Sequence, residues 1–205
     1  MNPNFYIELA IKNLDMNMPS CDGILPPIVI AVSRLVNIFH KYNKLYNCNS
    51  IAISFPEFRS SHDFRKIGFK IRFFAEERDS FDDIIDFFDA NEFILKHFDV
   101  KGVRKVKSDI SKYSAFVSLK TARRIKFKNG KYSGLNESNY FDRIKYLNTL
   151  PCLKMRSSSN KNNFDLFVER YTKRETEKED IINNDNVLNS YGFSSKNKLI
   201  YLPDF

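Results

Sequence analysis

Residues 26 to 39 read PPIVIAVSRLVNIF. Pro26 and Pro27 open a helix, where a missing backbone N–H costs nothing. Ile28, Val32, Leu35, Val36 and Phe39 then recur at i, i+4, i+7, i+8 and i+11, one apolar stripe. The stripe predicts an amphipathic helix that ends near Tyr42 to Asn47. Before it, Phe5 to Ile11 (FYIELAI) alternates apolar and polar, as a half-buried strand does. After it, Ile51 to Phe55 (IAISF) is a short apolar strand stopped by Pro56. Arg59 to Lys66 reads as a polar loop and Ile67 to Phe74 (IGFKIRFF) as the next strand. Ser80, with Asp83 three positions on, is expected to cap a second helix whose buried stripe is Phe81, Ile84, Ile85 and Phe88. Phe93 to Phe98 is expected to be a fourth strand. The order β-α-β-β-α-β is the ferredoxin-like, RRM-like arrangement. The fold class expected is therefore α+β.

Composition shifts after Gly102, which places a boundary near residue 100. Residues 1–100 form the expected ferredoxin-like domain and residues 101–205 an α/β domain with a basic segment and a Ser-rich hairpin. In the second part, Tyr113 to Leu119 reads as a strand and Tyr140 to Leu147 as a helix. Lys120 to Lys128 (KTARRIKFK) stays open in the sequence. As a helix it puts Lys120, Arg123, Arg124 and Phe127 on one face, which gives a basic helix. As a strand its cations alternate. Lys154 to Leu166 (KMRSSSNKNNFDL) holds a segment, Arg156 to Asn163, with no apolar residue. It reads as a hairpin loop between an apolar run and the alternating Phe164 to Val168. Thr172 to Asn186 is expected to be an exposed connection, and Ile200 to Phe205 a closing strand.

The 205 residues are 42% hydrophobic, with 20 Phe, 10 Tyr and no Trp, so phenyl rings should dominate the core. Three cysteines lie far apart with no CxxC, which speaks against a disulfide framework or structural zinc and suits a reduced, cytoplasmic setting. No leader pattern and no apolar stretch of membrane-spanning length is seen. Net charge is +8, but its distribution says more. Residues 1–100 carry 11 basic and 14 acidic side chains, whereas residues 101–131 carry 11 basic and one acidic. Such a block points to a polyanionic partner.

Candidate chemistry is sparse. No Gly-rich phosphate loop, HExxH or GxSxG occurs. The acidic run Asp79, Asp82, Asp83, Asp86 and Asp89 has the spacing of one solvated helix face. Of three histidines, His62 reads as solvated and His97 as structural at a strand end. His40 ends the first helix, where it could simply serve as a C-terminal cation. It could also be a base for RNA cleavage without metal. RNA supplies its own nucleophile, the ribose 2′-hydroxyl, and then needs only a base near neutral pKa and donors for the phosphate oxygens. Ser157 and Ser159 could position the hydroxyl and phosphate, and the basic segment could hold a duplex by its backbone.

Three blocks in order resemble the type I-F CRISPR repeat-processing endoribonucleases. The first is His40 followed, after thirteen residues, by Ser54-Phe55-Pro56. The second is Leu150-Pro151 through Arg156-Ser157-Ser158-Ser159 to Phe164-Asp165-Leu166-Phe167. The third is Ser190-Tyr191-Gly192-Phe193-Ser194 with the terminal Pro203-Asp204-Phe205. The resemblance implies that His40 is the catalytic base, Ser157 the catalytic serine and Tyr191 the tyrosine near the site. It implies phosphate contact by Ser159 in the Arg156-led motif, and base stacking by Phe164. Ser118 and Lys120 stand nearest to the family's R-x-Q base-reading pair, yet neither makes the same two-pronged purine contact. Arg123, Arg124, Lys126 and Lys128 are expected on hairpin phosphates.

The implied activity is metal-independent cleavage of precursor CRISPR RNA at the base of the repeat stem-loop, giving 2′,3′-cyclic phosphate and 5′-hydroxyl ends. The implied partners are CRISPR repeat RNA and the other subunits of a type I-F surveillance complex, with no cofactor, no metal and no membrane. The alternative is a catalytically inactive RNA-hairpin-binding subunit of a ribonucleoprotein.

Overall fold

A computed structural model describes residues 2–12, 26–60, 65–120, 126–128, 131–133, 137–157, 161–174 and 188–205, with backbone alone for 126–128, 131–133 and 137. Strand β1 (Phe5–Ile11) is followed by helix α1 (Pro27–Leu45), strand β2 (Ala52–Ser54) and two short strands, β3 (Arg59–Ser60) and β4 (Arg65–Lys66). Strand β5 (Lys70–Ala75), a 3₁₀ turn at Asp79–Phe81, helix α2 (Asp82–Asp89), helix α3 (Glu92–His97) and strand β6 (Phe98–Val100) complete the first half. The sheet order is β2-β5-β1-β6, and β1 pairs antiparallel with β5 and β6. This is the ferredoxin-like topology that the sequence order predicts. The short β7 (Arg104–Lys105) pairs with β1 beside β6.

In the second half come β8 (Lys112–Lys120), β9 (Lys126–Lys128), β10 (Lys131–Ser133), α4 (Glu137–Leu147), β11 (Cys152–Arg156), β12 (Asn163–Arg174) and β13 (Leu202–Pro203). Their main sheet has the order β11-β12-β8-β13 and is antiparallel throughout.

Helix α1 joins the two sheets. Its stripe residues Val32, Leu35, Val36 and Phe39 are buried together with Ile7, Leu9, Ile71 and Phe73 of the first sheet. Leu153, Met155, Leu166 and Val168 of the second sheet belong to the same core. Each fully buried side chain of this size contributes roughly 1.5–3 kcal/mol relative to exposure. Ser33 looks misplaced in an apolar helix until its partner is seen. Its Oγ accepts from the Lys154 backbone N–H at 2.9 Å, satisfying a donor on the open edge of β11.

The other face of the first sheet does not meet solvent. Tyr6, Ala52 and Phe74 pack against Leu188, Ile200 and Leu202 from the end of the chain. On that face Arg72, buried, pairs with Glu8 at 2.8 Å and lies over the rings of Tyr6 and Phe205. The sheet surface on which RRM-type modules stack bases is therefore covered here by the protein's own C-terminal segment.

Several local expectations need correction. Phe93 to His97 is helix α3, not strand; only Phe98 belongs to β6. Asn91 caps that helix, its side chain accepting from Ile94 N at 3.3 Å, and a cap followed by Glu92 outweighs the short aromatic run. His97 consequently ends a helix. Ser80 does not cap α2: it lies inside the 3₁₀ turn, and no side chain caps that helix. The Arg59–Lys66 loop contains a two-residue ladder, Arg59 opposite Lys66 and Ser60 opposite Arg65. The expected strand from Ile67 begins only at Lys70, because Gly68 turns the chain at φ +100°. The closing strand is Leu202–Pro203. The strand through Phe164 to Val168 runs on to Arg174, so Thr172 to Arg174 is ladder rather than connection; 175–187 lie outside the described residues. Of the basic segment, Lys120 ends β8, and Lys126 to Lys128 is strand β9 paired with β10, so the alternating reading holds there in place of the basic helix. Arg123 and Arg124 lie outside the described residues.

Candidate active site

His40 sits two turns beyond Ser33 on α1 and is 6% exposed. Its ring stacks on Tyr191, with centroids 4.0 Å apart and planes within 11°. Nδ1 donates to the carbonyl of Ser190 at 3.4 Å, which assigns the tautomer that keeps Nε2 as a lone-pair acceptor. Burial lowers the His40 pKa; the Ser190 carbonyl works against that shift and nearby Lys44 reinforces it. The ring is thus neutral at pH 7 and competent to take a proton. Burial raises the Tyr191 pKa, so its phenol stays protonated.

Two residues that the sequence reading missed hold this arrangement. Asn43, one turn after His40, donates from Nδ2 to the same Ser190 carbonyl at 3.0 Å. Asn189 builds the turn itself. Its side-chain oxygen accepts from Tyr191 N at 2.9 Å and Phe193 N at 3.2 Å, and its own carbonyl accepts from Gly192 N at 2.8 Å. An Asn whose side chain satisfies the backbone two residues on is an Asx turn, and Asn189-Ser190-Tyr191-Gly192 carries that signal. At Asn43 the available signal was its i+3 spacing from His40, which puts both on one helix face. Gly192 adopts φ +77°, and its carbonyl accepts from Ile53 N at 2.9 Å, tying the turn to the strand that precedes Ser54-Phe55-Pro56.

The predicted residues fall into two groups. His40 and Tyr191 are in contact, and Ser118 joins their turn by accepting from Asn189 Nδ2 at 3.0 Å. Ser118 therefore supports the turn, which is a use the base-reading expectation did not include. The second group lies on the β11–β12 hairpin, against which α1 packs. Half-buried Ser157 follows directly on β11 and donates its backbone N–H to Asn162 O at 2.9 Å. Arg156 is exposed and opposite Asn163, its Nε donating to Lys161 O at 3.4 Å. Phe164, opposite Met155, is half-buried against the common core. Lys154 and Asp165 pair across the strands at 2.8 Å. Ser159 lies outside the described residues. Lys120 is exposed at the end of β8.

Asp79, Asp82, Asp83, Asp86 and Asp89 are all exposed, the solvated face that their spacing predicts. Among the described residues no group of three or more His, Cys, Asp or Glu is arranged to hold a metal ion, and no helix is long and apolar enough to cross a membrane.

A ferredoxin-like sheet and a second antiparallel sheet, with a buried imidazole bonded to a backbone carbonyl and stacked on a phenol, define an α+β protein. The Cas_Csy4 family of CRISPR-associated proteins matches residues 26–205, and the chain belongs to that family, whose members are CRISPR-RNA-processing endoribonucleases. The matched span contains all three motif blocks. No curated protein matches the chain. A solved structure described as "An RAMP protein binding different RNA substrates" aligns with 97% of this chain and 100% of its own at 14% identity, with a TM-score of 0.29.

Proposed function

We propose that this chain cleaves precursor CRISPR RNA at the base of the repeat stem-loop without a metal ion. His40 Nε2 removes the proton from the ribose 2′-hydroxyl. The alkoxide oxygen attacks the adjacent phosphorus, the bond to the 5′-oxygen breaks, and that oxygen leaves as a hydroxyl after taking a proton. The products are a 2′,3′-cyclic phosphate and a 5′-hydroxyl. The observation that supports this reading best is the His40–Ser190–Tyr191 arrangement, in which the Ser190 carbonyl holds one tautomer and burial of the ring lowers its pKa.

In this reading Ser157 orients the 2′-hydroxyl and Tyr191 fixes the face of the His40 ring. Phe164 and Arg156 receive the nucleotides at the cut, with Ser159 on the phosphate. Lys120, Arg123, Arg124, Lys126 and Lys128 bind the stem through phosphates, whose contacts weaken steeply with salt. The enzyme stays on its product as a subunit of a type I-F surveillance complex in the cytoplasm.

End chemistry tests the proposal. Repeat hairpin incubated with wild-type protein in excess chelator should be cut at one position and yield a cyclic phosphate, and a single 2′-deoxy substitution at that position should block cutting. Loss of cutting in chelator, or 3′-hydroxyl and 5′-phosphate ends, would count against it. A catalytically inactive hairpin binder would leave the RNA whole under every condition.

A further inference from the structure

A groove of about 670 Å³ opens where the Pro56–Arg59 turn faces β8 and β12. None of its lining residues belongs to the cleavage site described above. Arg59, Lys66, Lys112 and Arg170 contribute four cations and Glu57 one carboxylate. Glu57 keeps its negative charge while its Oε2 accepts from Phe69 N at 2.8 Å, so it offsets only one of these cations. Lys112 is paired with Asp204 at 2.7 Å. The groove is left with a surplus of positive charge from Arg59, Lys66 and Arg170.

The second feature is aromatic. The Phe69 ring is 40% exposed at the groove, with Lys66 Nζ 4.7 Å from its centroid. This exposure is built into the turn. Gly68 has φ +100°, and a Cβ there would stand 2.6 Å from Glu57 Cβ, so only glycine lets the chain cross Glu57 and hold Phe69 outward. Arg170 in turn is laid over the buried Phe58 ring at 5.3 Å, which fixes its guanidinium at the groove wall.

Cations beside an exposed ring suit a strand with free base faces. A duplex hides those faces, and an acidic peptide has no use for the ring. We propose that this groove binds single-stranded RNA continuous with the hairpin, with phosphates on Arg59, Lys66 and Arg170 and a base stacked on Phe69. The volume lies in the range of small-ligand clefts, enough for a short stretch of strand. The inference rests on the hairpin-cleaving reading for the identity of the RNA. The strand could come from either side of the stem.

The test measures affinity of the full chain for uncleavable 2′-deoxy-substituted hairpins: bare, with a 5′ single-stranded flank, or with a 3′ flank. One flank should tighten wild-type binding by roughly tenfold, the effect of one stacked base, and so identify the source. Phe69→Ala should remove that gain and leave bare-hairpin affinity within about twofold, as expected for a contact outside the stem site. Lys66→Gln, a milder change at a half-buried position, should remove part of it and reduce the salt slope by about one. Equal binding of all three hairpins by wild type would overturn the proposal, as would variants that weaken bare and flanked RNA alike. Displacement of flanked RNA by a glutamate-rich peptide but not by oligouridylate would also overturn it, in favour of an acidic protein segment. If bare hairpin fails to bind while oligouridylate binds in a Phe69-dependent way, the groove stands and the hairpin-cleaving reading falls.

Discussion

Replacing His40 with alanine should lower the single-turnover rate of repeat-hairpin cleavage by about 10²- to 10⁴-fold, the usual worth of a positioned general base. Affinity for the intact hairpin should change little, because stem binding is assigned to the cations of residues 120–128 and not to His40. The physical reason is specific to this site. With Nδ1 committed to the Ser190 carbonyl, the acceptor is Nε2, and no other described histidine is available: His97 ends α3 beside Phe93, with rings 4.7 Å apart. The variant purified with repeat RNA should carry that RNA uncut. A rate loss of less than about tenfold, below the range for a general base, would mean that another group takes the proton. Stability must be read alongside, since alanine removes a buried ring stacked on Tyr191 and leaves a void.

Gly192→Ala should impair both folding and cleavage. The residue sits at φ +77°, where a Cβ costs about 1–2 kcal/mol. The added atom would meet Phe39 Cε1 at 2.7 Å, Ile51 O at 3.1 Å and Ile53 N at 3.2 Å. The ring can move a little, but two of these three atoms are backbone of the strand region that the turn is bonded to. Overpacking of that kind adds about 1–3 kcal/mol. A total of about 3 kcal/mol corresponds to a fall in Tm of roughly 6–12 °C for a chain of this size. Whatever relaxation occurs moves the Ser190 carbonyl and Tyr191 away from His40, so cleavage should fall further than the folded fraction does. Gly102→Ala is the control: a Cβ there meets nothing within 4 Å, and Tm should stay within about 2 °C. Equal Tm values for the two variants would show that the turn is looser than its contacts imply.

Much of this architecture was legible in local pattern. The 26–39 stripe and the FYIELAI alternation correspond to α1 and β1, with β1 matching residue for residue. The motif blocks singled out His40 and Ser190-Tyr191-Gly192, and the fold brings that ring and that turn into contact. What pattern did not show was mostly non-local. Ser33 answers an N–H on a strand 121 positions later, and one face of the first sheet is covered by Leu188, Ile200 and Leu202. No window of sequence contains both partners of either contact. Helix α3 was missed for a different reason. At six residues it is too short for a 3.6-residue period to stand out from alternation, and its Asn91 cap was the only local signal.

The most direct test of the account is the pH dependence of kcat/KM for hairpin cleavage in excess chelator, which reports the free enzyme's essential groups. In the proposed mechanism the active form is neutral His40, and burial holds its pKa below the ordinary 6.5. The rate should therefore be flat from pH 7 to 8 and fall as pH drops through an inflection below 6.5, when the imidazole takes a proton. An inflection at or above pH 7, or a rate that does not change between pH 5 and 8, would contradict a buried neutral imidazole as the base.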